Sequence, residues 1–538
     1  MVNMHIFNED AAQKQDIIDN RKRIKGVKKM NKRMVKIDSG ALQGSFGYDP
    51  RITVFKGVPY AAPPVGDLRW RAPQPVKAWD GVRFATEYAD ISIQKVPGGD
   101  PNEFWTKELH PAGPEFTMSE DCLYLDVYTP AKKGDEKLPV YFYIHGGGLQ
   151  GGYPHEIEFD WEHMARKGIV VVTPAYRLGY MGFLSHPWLS AEAPEDPKGS
   201  YGYLDQLAAL KWTKRNIEAF GGDPDKITIG GQSAGAGSVM AHLSSPMSKD
   251  LFRAAVIQSG IRIPMKDTGE PDRNQTVEQA EKNGEKLFEI CGFKSLEEAR
   301  ACDAMELYKI VEENRMRFSP CNDGIFSVKP SAQALLDGEW GDKPIIFGFN
   351  SGEIRSGGMF AGKLPQSVEE LEAVADKYGS DKERFLELIG CKTDEEVKNF
   401  MSESRAFKPL VISTLLAGCL RDRQGAKAYL YEFAHHIPGE DDPGVYHGAE
   451  LAFAYDAISR MWRPFTGVDY DMARYVNSYW INFIKTGDPN GVTNFGEELP
   501  RWDAYTAGNM NIMKFTDECR QEKEEVTELM LMRLNNGR

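Results

Sequence analysis

The chain has 538 residues and a formal net charge of −14 at neutral pH. Because phosphate binding is carried by basic surface, this acidic balance excludes nucleic acid as the main partner. No run of about eighteen apolar residues and no apolar signal-peptide core is found, so we expect no membrane span and a cytoplasmic location. The seven cysteines include no C-x-x-C pair, which argues against a metal site and is typical of a reducing compartment.

Residues 21–36 form a strongly basic segment with nine lysines or arginines and no acidic residue. A block of like charge is not expected to pack into a core. We therefore predict a poorly ordered N-terminal extension over residues 1–35. An anion-binding or targeting arm is the alternative.

Beyond this extension, short apolar runs alternate with helical segments. The pattern predicts an α/β fold in which a large, mostly parallel central sheet has helices on both faces. We predict a single domain over residues 36–538. Two charge-rich stretches, 262–340 and 355–425, have apolar residues at helical spacing and are predicted to be helical insertions over the carboxyl edge of the sheet. The best strand candidates are residues 138–144, 169–172, 226–230, 254–258, 344–349 and 428–433.

Ser233 is the predicted nucleophile. It lies in the sequence G-Q-S-A-G, residues 231–235, between the predicted strand 226–230 and a predicted helix over residues 234–243. A serine hydroxyl attacks a carbonyl carbon only when it is held clear of the backbone, and a sharp strand-to-helix turn does this. Glycine two residues to either side relieves the crowding in such a turn.

The predicted strand 138–144 runs directly into a histidine and three glycines, residues 145–148. A loop without side chains can turn its N–H groups inward and hold the oxyanion that a serine nucleophile creates. We predict that the donors are the N–H groups of Gly147, Gly148 and Ala234. A plain glycine loop is the alternative, and the histidine is expected to shape the loop without taking part in the chemistry.

A general base and an acid are expected after the nucleophile in the chain. Three histidines toward the C-terminus, His435, His436 and His447, are the candidates for the base. The first two end a predicted strand, where they can be ordinary polar residues, whereas His447 lies in a loop at the catalytic edge. Glu353 is the first carboxylate after the predicted strand 344–349 and is the predicted acid, although its position alone does not distinguish it from a solvated loop residue.

These motifs resemble the type-B carboxylesterase/lipase family, which includes the cholinesterases, over residues 36–515. The resemblance implies an α/β-hydrolase fold and a triad of Ser233, Glu353 and His447. It also implies that Ser259 supports the acid and the histidine. Further similar stretches are residues 55–61, 68–70, 120–127, 176–179, 204–206, 219–224, 348–353 and 447–451.

The chain departs from the family pattern at positions that matter for charge and redox state. Gln232 replaces the usual glutamate before the nucleophile and so removes a negative charge beside the reacting centre. Ser92 stands where many secreted relatives have the cysteine that pairs with Cys122, so Cys122 is predicted to be a free thiol. Cys291 and Cys302 keep the spacing of a second family disulfide, and their pairing is left open.

The sequence therefore predicts a serine carboxylesterase that hydrolyses neutral carboxylic esters through an acyl-enzyme, with a small-molecule ester as its partner. The chemistry requires neither a metal nor an organic cofactor, and the oligomeric state is left open. A lipase that acts on longer acyl chains is the alternative, and a non-catalytic adhesion-type relative is a second, against which the complete triad argues. Apolar residues near the predicted site suggest an acyl pocket formed by Leu149, Tyr180, Met181, Phe183 and Phe318.

Overall fold

The computed structural model of the chain describes residues 33–95, 100, 102–110, 116–265, 275–353 and 364–535. Residues 1–32 of the predicted N-terminal extension lie outside the described residues, as do parts of both predicted insertions. The last two residues of that extension, Met34 and Val35, belong to a strand and not to a disordered segment. The reason is burial, because Val35 is paired with Leu42 and its side chain enters the core.

Sixteen strands lie in the described residues. They are β1 (Met34–Ile37), β2 (Gly40–Gln43), β3 (Ser45–Phe46), β4 (Thr53–Pro59), β5 (Val82–Phe84), β6 (Tyr124–Thr129), β7 (Leu138–Ile144), β8 (Val170–Pro174), β9 (Gly222–Gln232), β10 (Ala254–Gln258), β11 (Gln275–Thr276), β12 (Cys321–Asn322), β13 (Ile345–Asn350), β14 (Ala428–Phe433), β15 (Asn511–Phe515) and β16 (Cys519–Lys523).

Eleven of these strands form the central sheet, in the order β16-β15-β14-β13-β10-β9-β7-β8-β6-β4-β3. The strands from β15 to β8 in this order are parallel to one another. The strands at the two ends, β16 on one side and β6, β4 and β3 on the other, are antiparallel to their neighbours. All six strands predicted from the sequence lie in the parallel block, and β7, β10 and β14 have the predicted bounds. The mostly parallel sheet is confirmed.

Seventeen α-helices lie in the described residues. They are α1 (Phe104–Leu109), α2 (Trp161–Arg166), α3 (Gly179–Phe183), α4 (Pro187–Glu192), α5 (Tyr201–Asn216), α6 (Ala234–Ser244), α7 (Val277–Cys291), α8 (Leu296–Ala301), α9 (Ala304–Glu313), α10 (Ser331–Leu336), α11 (Val368–Ala375), α12 (Lys382–Ile389), α13 (Asp394–Glu403), α14 (Pro409–Arg423), α15 (Leu451–Ala454), α16 (Gly467–Thr486) and α17 (Glu528–Asn535).

The sheet separates two apolar cores. Successive residues of a strand point to opposite faces, so the residues of a buried strand alternate between the cores. In β10, Ala255 and Ile257 belong to the first core, whereas Ala254 and Val256 belong to the second. Helices α5, α6 and α14 cover the first core, and α2, α15 and α16 cover the second. The predicted helices on both faces of the sheet are confirmed.

The two predicted insertions are mostly helical where they are described, and the first also contains the short strands β11 and β12. The first contains α7 to α10 and the second contains α11 to α14. The second insertion faces the carboxyl ends of β13 and β14 across a cavity of about 660 Å³. Asn350 and Glu353 line one side of this cavity, and Met401 and Leu410 line the other. The division of the chain into one domain with two insertions stays a prediction.

The parallel strands end together at the edge that carries the predicted site. Ile144, the last residue of β7, is paired with Gly231 of β9. Gln258, the last residue of β10, is paired with Gln232 of β9 on one side and with Gly348 of β13 on the other. Because the carboxyl ends of parallel strands meet at one edge of a sheet, the loops that follow them converge.

The cysteines are thiols in the structure. Cys122 is buried beside the hydroxyl of Ser92, and burial raises the pKa of the Cys122 thiol to about 12. Cys291 and Cys302 are unpaired. Within the described ranges, no helix combines the length and the apolarity that crossing a membrane requires.

Candidate active site

The turn between β9 and α6 has the strand-to-helix form predicted for a nucleophile elbow, with Ser233 between the two elements. Ser233 has φ +55° and ψ −118°, a conformation that non-glycine residues rarely adopt. A Cβ atom on Gly231 would lie 2.5 Å from the carbonyl group of Gly235, and one on Gly235 would lie 2.1 Å from the Ile144 carbonyl oxygen. Close backbone contacts therefore require both glycines of the motif, and the turn places Ser233 at the carboxyl edge of the sheet.

The glycine-rich loop after β7 lies beside Ser233. A Cβ atom built on Gly146 would lie 3.4 Å from the Cβ atom of Ser233. Gly147 and Gly148 have φ of +94° and +68°, and a Cβ atom on Gly147 would lie 2.1 Å from the Gly151 carbonyl oxygen. Neither the N–H of Gly147 nor that of Gly148 donates a hydrogen bond to another described residue. Both donors are therefore available to a ligand.

The third predicted oxyanion donor is the N–H of Ala234. Ala234 is the first residue of α6, and N–H groups in the first turn of a helix have no acceptor within the helix. His145, at the start of the glycine loop, stacks on Tyr176 with 4.4 Å between ring centroids. Burial lowers the pKa of His145 to about 4, so its ring is neutral. These contacts fit a residue that shapes the loop.

His447 and Glu353 meet at this edge as a buried pair. Nδ1 of His447 hydrogen-bonds to Oε2 of Glu353. The other carboxylate oxygen of Glu353, Oε1, accepts the N–H of Asn350 at 2.8 Å. Because the carboxylate accepts the proton of Nδ1, the lone pair of the neutral ring lies on Nε2, where a general base needs it.

The other histidines after the nucleophile have different surroundings. His435 is buried with its Nε2 atom 2.8 Å from Oδ1 of Asp469, and His436 is exposed. His242 is not among the predicted candidates although it also follows the nucleophile in the chain. It lies inside α6, where burial lowers its pKa to about 3. Of these histidines, His447 is the one that contacts the predicted acid.

The two predicted supporting residues differ in their contacts. Gln232 is buried, and its Nε2 atom lies 3.2 Å from Nε2 of His447. The N–H of Ser259 donates to the Gly348 carbonyl oxygen at 2.9 Å. The Ser259 hydroxyl is buried without a hydrogen-bond partner among the described residues. Support of the acid by Ser259 stays a prediction.

A second buried carboxyl group, that of Glu450, is linked through Asn350 to the His447–Glu353 pair. Its Oε2 atom accepts Nδ2 of Asn350 at 2.5 Å, and its Oε1 atom accepts Nε2 of Gln258 at 3.3 Å. Burial, followed by the charge of Glu353, raises the pKa of Glu450 to about 7. No role for Asn350 or Glu450 is predicted from the sequence. The signal that could have found them is their position inside the motifs around Glu353 and His447.

A buried ion pair holds the loop that carries His447. Nε of Arg463 donates to Oε2 of Glu108 at 2.9 Å, and both side chains are almost fully buried. The hydroxyl of Tyr446 donates to the same oxygen at 3.0 Å. Nη1 of Arg463 also donates to the Pro438 carbonyl oxygen at 3.0 Å. The loop is therefore fixed near both of its ends. This support is not predicted from the sequence, because the partners are far apart in the chain.

The five predicted pocket residues are all buried. Leu149 follows the glycine loop directly and has φ +61°. Tyr180, Met181 and Phe183 lie in α3, where Phe183 is fully buried. The carbonyl oxygen of Phe318 accepts the side-chain amide of the residue after Leu149 at 2.8 Å. Contact of these residues with an acyl group stays a prediction.

Comparisons with known proteins point to one family. The Carboxylesterase family matches residues 31–531. The chain is 32% identical to fumonisin B1 esterase of Sphingopyxis macrogoltabida over 486 residues, which cover 86% of this chain and 84% of that protein. It is 31% identical to liver carboxylesterase 1 of Oryctolagus cuniculus, and the alignment covers 90% of each chain.

A solved structure of a PNB esterase superposes with a TM-score of 0.76 at 27% identity, covering 94% of this chain and 99% of that chain. The predicted α/β-hydrolase fold is thereby confirmed. A family match over most of the chain, together with esterases among both the sequence relatives and the solved structures, settles the class of the protein. The chain belongs to the Carboxylesterase family and is a carboxylic ester hydrolase.

Proposed function

We propose that the chain hydrolyses neutral carboxylic esters through an acyl-enzyme, with Ser233, His447 and Glu353 as its catalytic triad. The observation that carries the proposal is the buried His447–Glu353 pair at the same sheet edge as the strained elbow. Backbone strain of this kind is retained where the surrounding structure enforces it, and it is common at active sites.

The first half-reaction transfers the acyl group to Ser233. Nε2 of His447 accepts the hydroxyl proton while the Ser233 oxygen attacks the carbonyl carbon. The N–H groups of Gly147, Gly148 and Ala234 hold the negative charge that develops on the carbonyl oxygen. The bond between the carbonyl carbon and the alcohol oxygen then breaks, and the imidazolium gives its proton to the leaving alcohol.

The second half-reaction restores the enzyme. Water gives a proton to His447 and attacks the acyl carbon, and the acid leaves as the Ser233 oxygen regains its proton. Glu353 orients His447 and stabilises the imidazolium that forms in each half-reaction. The reaction consumes one ester and one water and releases one acid and one alcohol.

Neutral esters are the substrate class favoured by the charges around the predicted reacting centre. Gln232 precedes the nucleophile and contacts His447, and its amide carries no charge. The carboxyl group of Glu450 is engaged by two amides and has a pKa raised to about 7. A cationic alcohol group therefore gains less Coulomb attraction here than it would beside a glutamate at position 232.

A reducing, cytoplasmic location is part of the same proposal. The hydroxyl of Ser92, and not a second thiol, contacts Cys122. Because burial raises the pKa of Cys122 to about 12, little of the thiolate needed for disulfide exchange forms near neutral pH. These observations support a fold that does not depend on a disulfide at this position.

The activity is tested with p-nitrophenyl esters whose acyl chains have about two to sixteen carbons, in the presence and absence of detergent. We expect short and medium chains to be hydrolysed without an interface. Preference for the longest chains in micelles would indicate the lipase that is the alternative.

The acyl-enzyme is tested with a fluorophosphonate probe and peptide mass spectrometry. We expect one adduct, on Ser233, in the wild type and none in Ser233→Ala. The assignment is overturned if the adduct forms on another residue or if ester turnover survives in Ser233→Ala.

A further inference from the structure

The amide of Gln232 engages the atom of His447 that the proposed mechanism uses as base. Gln232 is the last residue of β9, and its Nε2 atom lies 3.2 Å from Nε2 of His447. The carboxylate of Glu353 is an acceptor, so the proton on Nδ1 of His447 points toward it. Nε2 then carries the lone pair, and the Gln232 amide donates its N–H to it.

The surrounding backbone keeps this contact close. Gly448, directly after His447, has φ +86°, and a Cβ atom on it would lie 3.5 Å from Nε2 of Gln232. On the other side, a Cβ atom on Gly146 would lie 3.0 Å from Oε1 of Gln232. Strand pairing with Gln258 fixes the backbone of Gln232. The amide is therefore enclosed between the glycine loop and the loop that carries the base.

An amide and a carboxylate at this position have opposite effects on a histidine. An N–H donor favours the neutral ring, because a protonated ring presents a second N–H and two donors oppose each other. A carboxylate favours the protonated ring through both its charge and its hydrogen bond. The other carboxyl groups that interact with His447, those of Glu353 and Glu450, are the same in both cases, so only the group at position 232 differs. Gln232 therefore favours the neutral ring, which can act as a base, where a glutamate in its place would favour the protonated ring.

We infer that Gln232 is a positioning residue that holds His447 in its neutral, proton-accepting form between turnovers and so extends ester hydrolysis toward acidic pH. The inference rests on the proposed function, since it takes His447 as the base.

The first test is the pH profile of kcat/KM for p-nitrophenyl acetate between about pH 5 and pH 9. We expect Gln232→Glu to move the midpoint of the acid limb up by at least about half a pH unit, which is roughly a threefold loss on that limb. Gln232→Met has neither charge nor donor and is expected to give a smaller upward shift. Gln74→Glu adds the same charge on the exposed surface and is expected to leave the profile unchanged.

The inference is overturned if the profiles of Gln232→Glu and Gln232→Met superpose on that of the wild type. If Gln232→Glu does not fold, the Gln232→Met profile decides. The inference is then overturned if that profile shows no upward shift.

A second test does not depend on turnover. The proton between Nδ1 of His447 and Glu353 is followed by NMR as a function of pH, and His447→Gln identifies its resonance. We expect the midpoint to be higher in Gln232→Glu than in the wild type, and equal midpoints overturn the inference. If no ester is hydrolysed by any protein while the midpoint still shifts, the proposed function fails and the effect of Gln232 on His447 stands.

Discussion

The proposed roles of Ser233, His447 and Glu353 differ, and each role fits the surroundings of its residue. Ser233 is in a strained turn that only close glycine neighbours permit. His447 and Glu353 are buried, so their mutual hydrogen bond is not weakened by competing water. Single substitutions in this set are therefore expected to affect turnover far more than folding.

We expect Ser233→Ala and His447→Ala each to lower kcat by on the order of 10⁶-fold, because the members of a triad act as a unit. Glu353→Gln is expected to be milder but still severe, since an amide orients the ring poorly. The measurement is kcat for p-nitrophenyl acetate at saturating substrate. His436→Ala is the control, because His436 is exposed and is expected to be dispensable. A His447→Ala enzyme that kept more than about a tenth of the activity would show that the base is another residue.

A second prediction concerns the charge of the substrate. Because Gln232 is neutral, acetylcholine and its uncharged isostere 3,3-dimethylbutyl acetate are expected to have similar kcat/KM values. The two esters have similar size, so the comparison isolates charge. A value for acetylcholine larger by about tenfold or more would contradict the prediction and would indicate a cation site elsewhere in the cleft.

The loop between β14 and α15 presents His447 and is held from outside by α1. Glu108 lies in α1, and its carboxylate binds both Arg463 and Tyr446. Removing one member of a buried ion pair leaves the other charge without compensation. This pair therefore links the stability of the fold to the position of the predicted base.

We expect Glu108→Ala to lower the free energy of unfolding by up to about 3–5 kcal/mol, because Arg463 stays buried with only the partly exposed carboxylate of Asp441 to compensate its charge. We also expect kcat to fall by about tenfold to a hundredfold, because the loop of His447 is released. Denaturant midpoints and kcat are the measurements. Lys282→Ala is the control, since it breaks an exposed ion pair with Glu278 and is expected to change neither quantity. A Glu108→Ala protein as stable as the wild type would contradict the prediction.

Buried carboxyl groups make the stability of the protein depend on pH. Asp126 is buried and accepts the N–H of Gly57 at 2.9 Å. Burial raises the pKa of Asp126 to about 7, as it does for Glu450. A carboxyl group whose pKa is raised by folding binds more protons in the folded state than in the unfolded state at intermediate pH. Its contribution to stability is therefore full below about pH 4 and is lost as the pH rises to about 7.

We expect Asp126→Asn to be more stable than the wild type at about pH 8, by up to roughly 4 kcal/mol, and equally stable near pH 4. The amide keeps the oxygen that accepts the Gly57 N–H and avoids the cost of a buried charge. Denaturant midpoints of both proteins at the two pH values test this. A stability difference that did not change with pH would contradict it.

The strands of the parallel block could be predicted because each is buried on both faces and so reads as a short, continuous apolar run. The two edge strands, β3 and β16, could not be predicted in this way. Cys519–Lys523 of β16, for example, is largely polar and partly exposed, and its strand structure depends on pairing with β15. Nothing in its own side chains distinguishes it from a loop.

The candidate site also has a part that a local pattern predicts and a part that depends on the tertiary structure. A local motif predicts Ser233 as the nucleophile, because both glycines that the turn requires stand within five adjacent residues, although part of the crowding comes from Ile144 of β7. The contacts of His447 join residues 94 and 215 positions apart in the chain, with Glu353 and Gln232 respectively. Strand order and register bring these residues together at one edge of the sheet. No local sequence pattern encodes this order and register. The sequence alone thus determines which chemical groups the protein has, whereas the packing of the sheet determines which groups meet, because hydrogen bonds depend on distance in space and not on distance along the chain.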